Sequence, residues 1–222
     1  MGLFALITLL VALTGAVLLA RGLKNFMPGD KRLFQDMQQL KEDMQVWKPE
    51  LVPVSSDELD AFSFNQVQRS VRKRFGKTAK GVFTTIYHEP VLAYTYKEYS
   101  GPGQKAILYA ETGEKSYSYI KDKNGVRIAA GQRQLGTLKE DGTLYSPKGN
   151  KPVAKLGQPA NRLLPVRTAD RELGSLVDPP EATDDALGQR AFQFVPNDLA
   201  EEEKDVFLAL ATLELVHRTL KS

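Results

Sequence analysis

The sequence predicts a mainly β domain of antiparallel hairpins, a barrel or a sandwich, with a hydrophobic helix at its C-terminal end and a transmembrane helix before it. Three observations carry this prediction. From Gly81 to Val195, short runs rich in Val, Ile, Phe, Tyr and Thr alternate with Gly, Pro, Asn and Asp turns. Leu3 to Ala20 contains no charged residue. From Val206 to Val216 the chain is apolar on nearly every face of a helix, and such helices belong inside a fold.

The 222 residues suit one globular domain with an appendage. Apolar content of 42% and charged content of 26% place the domain among ordinary folded chains. A net charge of +3 is too small to argue for nucleic acid, and no recognition motif accompanies the basic residues, so no nucleic-acid partner is expected. The absence of cysteine excludes disulfides, thiolate zinc sites and a cysteine nucleophile.

Leu3–Ala20 gives about 27 Å of helix, close to the thickness of a bilayer's hydrocarbon core. A cleaved signal peptide is the competing reading, but it wants a basic N-terminal region and a small-residue cleavage site; Leu18-Leu19-Ala20 is a poor one. The expectation is an uncleaved single-pass anchor over residues 1–24. Arg21, Lys24, Lys31 and Arg32 follow the span, and no Lys or Arg precedes it. The positive-inside rule then puts the C-terminal domain in the cytoplasm, with Arg21 and Lys24 flanking the anchor.

Residues 25–61 read as a juxtamembrane helix and linker. Pro28-Gly29-Asp30 is a break with Asp30 as N-cap. Leu33, Met37, Leu40, Met44 and Trp47 then recur at steps of 4, 3, 4 and 3, one helix face ending before Lys48-Pro49. That face can pack on the protein's own domain or on lipid, pair with a protein partner in a short coiled coil, or lie on a membrane surface. Asp36, Glu42 and Asp43 weaken the last of these. Residues 48–56 read as an extended linker, with Ser56 or Asp57 capping a brief turn through Phe62.

No acidic residue occurs between Phe62 and Tyr87, and Arg69, Arg72, Lys73, Arg74, Lys77 and Lys80 cluster within that interval. Beside an anchor this cluster suits anionic phospholipid headgroups, each basic residue contributing about 1 kcal/mol. A solvated basic face is the alternative. The strand-like runs that follow are 81–88, 91–99, 105–112, 115–121, 126–131, 134–139, 143–146, 152–156, 163–168, 172–177 and 190–195, about eleven in all. Asn124-Gly125 and Asp141-Gly142 are tight-hairpin signals. Asp178–Gly188, with Pro179-Pro180 and several acids, reads as an exposed loop. Asp198 and Glu201 form a capping box for the last helix, which runs to Leu220; Glu202 and Glu203 suit its first turn, and His217, Arg218 and Lys221 its last.

Hairpins carrying Leu135-Gly136-Thr137-Leu138 and Leu173-Gly174-Ser175-Leu176, then Ala191-Phe192-Gln193-Phe194-Val195 leading into an acid-capped hydrophobic helix, resemble the tubby C-terminal-like superfamily, including its phospholipid-scramblase and LURP-one-related branches. The resemblance spans roughly Phe62 to Leu220. It implies a closed antiparallel barrel of about twelve strands threaded by one hydrophobic helix, over residues 62–222. Two departures restrict what carries over. The anchor here is N-terminal, and Asp122-Lys123-Asn124-Gly125 is too short for a calcium loop. The basic chemistry with which tubby proteins hold phosphoinositides has a counterpart in Arg69–Lys80 but no residue-by-residue match.

There is no G-x-S-x-G, P-loop or H-E-x-x-H. The two histidines, His88 and His217, suit surface exposure and helix capping. Glu214 lies within the hydrophobic helix, so it is either paired or aimed at a barrel mouth. The expected protein is therefore a membrane-tethered, non-enzymatic binding module without cofactor or metal, contacting anionic headgroups. A membrane-anchored assembly factor is the alternative. A scramblase-like transporter is a third, although a lone span offers no lipid path without oligomerisation.

Overall fold

Every strand pairs with its neighbours in sequence, and this single rule organises the molecule. The computed structural model describes residues 2–26, 28–53, 56–74, 76–101, 103–178 and 189–221, without the side chains of residues 2–5, 19–25, 56–57 and 74. Its twelve antiparallel strands form one sheet in the order of the chain. They are β1 (Phe62–Arg74), β2 (Gly76–Thr85), β3 (Pro90–Glu98), β4 (Ala106–Thr112), β5 (Ser116–Asp122), β6 (Gly125–Ala130), β7 (Arg133–Leu138), β8 (Thr143–Tyr145), β9 (Pro152–Leu156), β10 (Leu163–Arg167), β11 (Glu172–Val177) and β12 (Phe192–Gln193). Local hairpins of this kind give an up-and-down barrel. The first and last strands meet: Ser63 bridges Arg190, and the Ala191 N–H donates to the Phe62 carbonyl at 2.7 Å. The barrel is thereby nearly closed. Most of the expected exposed loop at 178–188 lies outside the described residues.

Among the described residues there are three α-helices: α1 (Gly2–Phe26), α2 (Asp30–Met44) and α3 (Glu201–Lys221). Helix α3 occupies the interior. Phe207, Ala209, Leu210 and Ala211 are fully buried, and one core joins them to the inward side chains of the strands, among them Leu92, Tyr94, Leu108, Tyr117, Tyr119, Ile128, Leu144, Val166, Leu173 and Phe192. Phe192 meets Phe207 edge-on at 5.1 Å between ring centroids. The buried Tyr119 hydroxyl donates to the Ala209 carbonyl at 2.9 Å, and burial pushes that phenol well above its usual pKa. This bond satisfies a polar group that would otherwise be costly inside the barrel.

The two L-G-x-L segments acquire a physical reason here. Gly174 has φ +143°, and a Cβ there would stand 2.8 Å from Cε2 of Phe207. Only glycine lets the wall of β11 approach the helix that closely. At Gly136, with φ +158°, a Cβ would run into the Tyr145 carbonyl of the neighbouring strand.

Helix α2 packs on the outside of the barrel. Leu33, Leu40, Met44 and Trp47 are buried against Val82, Ala93, Tyr99, Ile107 and Tyr109, and Met37 adjoins them. Strand β4 is consequently covered on both sides: Leu108 and Ala110 face α3, and Ile107 and Tyr109 face α2. Its continuous apolar run is the pattern of a strand buried on both faces. Asp36 fastens the contact. It accepts from Lys97 Nζ at 2.7 Å and from the Tyr99 hydroxyl at 2.5 Å, with Arg32 Nε at 3.1 Å. Burial opposes ionisation of this carboxyl, but the hydrogen bonds from Lys97 and Tyr99 hold it below the usual carboxylate range.

Four expectations need correction. The strands do not begin at Gly81: the basic interval forms the β1–β2 hairpin, with β2 starting at Gly76. Dense charge hides a strand whenever only part of its length reaches the core. Helix α3 starts at Glu201, with the Ala200 carbonyl accepting from the Lys204 N–H. The reciprocal acid is Glu203, which accepts from the Ala200 N–H at 3.0 Å, because Asp198 is drawn away to Arg171 at 2.9 Å. Gly29, and not Asp30, caps α2. Residues 48–50 form a short 3-10 turn, so the linker is only partly extended, while the brief turn expected before Phe62 is present at 56–61.

Among the described residues no helix is long and apolar enough to cross a membrane. In α1 the described side chains are those of residues 6–18 and 26, part of the uncharged run read from the sequence.

Candidate functional site

The basic residues of β1 and β2 divide into two groups by what they touch. A bulge in β1, where Gln68 takes φ +53°, changes the facing of the strand between Val67 and Ser70. Beyond it, Arg69 Nη2 donates to the Thr219 carbonyl at 2.9 Å, and Lys77 Nζ donates to the Leu220 carbonyl. These are terminal carbonyls of α3, which have no acceptor role within the helix, and they carry the negative end of its dipole. Gln66 extends the same arrangement. Its Nε2 donates to Thr219 Oγ1 at 2.6 Å, and its Oε1 accepts from the Tyr94 hydroxyl at 2.9 Å. Two of the six cations are thus structural caps for the central helix.

Arg72 and Lys80 lie on the outer face of the hairpin, whereas Lys73 shares the face of Lys77. Arg72 and Lys73 are exposed near the hairpin end, and neither has an ion-pair partner among the described residues. Lys73 stands directly opposite Lys77 in the register. Like charges in that relation are unfavourable unless something offsets them. Lys80 is exposed, and its Nζ lies 5.2 Å from the centre of the Trp47 ring, which ties the hairpin to the end of α2. The side chains of Arg74, Arg21 and Lys24 lie outside the description; Arg74 belongs to β1, and Arg21 and Lys24 belong to α1. Val67, opposite Val82, adds exposed apolar surface to the outer face, and Val71, opposite Ala79, adds it on the face of Lys73.

The partner face read on α2 is occupied. Leu33, Leu40, Met44 and Trp47 are covered by the barrel wall, whereas Phe34 on the opposite side is 65% exposed.

A second feature lies at the C-terminal end of α3. A cavity of about 140 Å³ separates the helix from the wall of β3–β7 and β9, lined by Tyr96, Leu108, Val126, Leu138, Leu213 and Val216 among others. Its polar residues are Lys121, Glu214 and His217. Glu214 does both things expected of it: it lines the mouth, and it pairs with Arg218 Nε at 2.9 Å. Arg218 also reaches Asp178 at 3.1 Å and donates to the Val177 carbonyl at 2.6 Å. His217 is held below its usual pKa, first by burial and then by the nearby Lys221 and Lys121 ammonium groups. His88 is exposed in the turn between β2 and β3, with φ +65°. No group of acids and histidines able to hold a metal occurs among the described residues.

Sequence reasoning missed the Asp36–Lys97–Tyr99 cluster and the acid–base network at the other end of α3, because their partners lie far apart in the chain. The Lys48–Glu111 pair, at 2.6 Å with Glu111 buried, was hidden for the same reason. No family profile, curated protein or solved structure matches this chain.

Proposed function

We propose that the protein is a membrane-tethered, non-enzymatic binding module that contacts anionic phospholipid headgroups through the exposed end of the β1–β2 hairpin. The observation that carries this reading is the pair Arg72 and Lys73. Both are exposed, both lack an ion-pair partner among the described residues, and Lys73 faces another cation across the hairpin. A phosphate brought between such groups relieves repulsion that the fold itself leaves in place. Lys80 extends the patch along the outer face, Arg74 adds a further cation to the sequence of β1, and Arg69 and Lys77 add positive potential while capping α3. In this reading Leu3–Ala20 tethers the module, with the barrel on the cytoplasmic side, where anionic lipid is abundant. The twelve-strand barrel and its central helix support the resemblance to the tubby-like superfamily, whose members include phosphoinositide binders. Fold likeness alone does not bring the ligand with it.

Vesicle co-sedimentation tests the reading on a chain beginning at Pro28, which keeps α2 on the barrel. Binding to phosphatidylserine-containing vesicles should exceed binding to pure phosphatidylcholine. Changing Arg72 and Lys73 together to Glu should lower it about tenfold or more. Equal binding to the two vesicle types, or survival of anionic binding in the double variant, removes the headgroup proposal. A protein partner on the α2 face, by contrast, would first have to displace the barrel wall from Leu33, Leu40, Met44 and Trp47.

A further inference from the structure

The cavity at the C-terminal end of α3 has a composition that the headgroup reading does not use. Its walls are aliphatic and aromatic side chains from β3–β7, β9 and α3. An apolar cavity of about 150 Å³ holds a molecule the size of benzene, so 140 Å³ accommodates about six carbon atoms of a ligand. At its mouth stands Lys121, which has no ion-pair or hydrogen-bond partner among the described residues. The neighbouring acids have other partners. Glu214 is neutralised by Arg218, which Asp178 also engages, and Glu98 accepts from the Tyr96 hydroxyl at 3.2 Å. Lys221, exposed at the end of α3, lies close enough to His217 to act on it together with Lys121. Lys121, Lys221 and Arg218 balance Glu214, Asp178 and Glu98 in charge, and what the mouth offers a ligand is the Lys121 ammonium, unpartnered among the described residues, in front of apolar space.

We propose that this cavity binds a single-chain amphiphile with an anionic head, a medium-chain carboxylate, its alkyl end between Leu108, Val126, Leu138 and Leu213 and its carboxylate on Lys121. Burial of the chain supplies the affinity, and the ammonium group selects a carboxylate over an uncharged head. No residue of β1 or β2 lines this cavity, so the site stands or falls independently of the headgroup proposal.

The experiment uses the full chain in nanodiscs of phosphatidylcholine and an octanoate analogue bearing a diazirine on its terminal carbons. After irradiation, cross-linked peptides are located by mass spectrometry. Adducts are expected on β6 and on the Leu213–Val216 turn of α3. Unlabelled octanoate should compete for them, and octanol should compete about tenfold less well. Lys121→Gln should reduce cavity labelling about tenfold, erasing the difference between octanoate and octanol. Leu213→Trp, a substitution on the partly exposed side of α3, should fill the cavity and abolish labelling there while the thermal melt stays cooperative. Arg72→Glu with Lys73→Glu should leave cavity labelling unchanged. Adducts confined to α1 or to the outer wall, equal competition by octanoate and octanol, or full labelling in the Leu213→Trp protein would each overturn the proposal.

Discussion

The two ends of α3 are finished in opposite ways. Its N-terminal end is closed by ion pairs. Lys115 Nζ bridges Glu201 and Asp205, each at 2.7 Å; Arg133 reaches Glu202 at 2.9 Å and Asp205 at 2.8 Å; and Arg171 joins Asp198 to Glu203. Acids in the first turn suit the positive end of the helix dipole, and basic side chains from the wall lock them there. The void beside this network measures about 10 Å³, no more than one water's worth, next to the buried Tyr117 hydroxyl. The C-terminal end has its carbonyls capped by Arg69 and Lys77, yet a cavity more than ten times larger remains open beside His217. A structural end needs its charges matched and its space filled. The end that keeps unmatched cations and apolar room is where ligands are to be sought.

Four substitutions can break or sharpen this contrast. The largest effect belongs to the middle that both ends share. Leu210→Asp, at a position without solvent exposure, should unfold the domain, since an unpaired buried carboxylate costs several kcal/mol against a total of roughly 5–15. A cooperative melt at the parent temperature would remove α3 from the barrel core. Next, Asp205→Ala at the closed end should cost about 2 kcal/mol by urea unfolding, because it strips the buried acceptor shared by Lys115 and Arg133. Arg69→Met at the open end should cost only about 1 kcal/mol, leaving Lys77 as a cap. If Arg69→Met proves costlier than Asp205→Ala, the assignment of closed and open ends is reversed.

The smallest effect is a pH slope. The folded state holds His217 below its ordinary pKa of 6.5, mainly through burial, with Lys221 and Lys121 adding repulsion and Glu214 and Glu98 opposing them. The unfolded chain therefore binds the proton more readily, and stability should decline as pH falls below about 6.5, levelling off below the folded value. Melting temperatures recorded across that interval should show a shallower decline in His217→Gln. An unchanged slope would assign the pH dependence to other groups.

How much was legible in the sequence follows from the range of the interaction involved. Hairpin turns such as Asn124-Gly125, the face repeated from Leu33 to Trp47 and the all-round apolarity of Val206–Val216 are set by residues a few positions apart, so periodicity and turn chemistry identify them directly. The strand β1 was not legible, because its bulge at Gln68 and its cations disrupt alternation, and its strand character comes from pairing with β2. Nor was the α3 cap. Asp198 has the right spacing for a capping box, but Arg171, distant in sequence, competes for it more strongly.

By itself, then, the sequence determined a mainly β chain with a buried last helix, an uncharged N-terminal run and a basic interval, since these depend on composition and local spacing. Only the tertiary structure decided that α2 lies against the outside of β3 and β4, that Arg69 and Lys77 cap α3 while Arg72 and Lys73 stay exposed, and that a cavity opens beside Lys121 and His217. The physical reason is that a side chain's role is fixed by what reaches it across the barrel, and those partners are brought together only when the first and last strands meet.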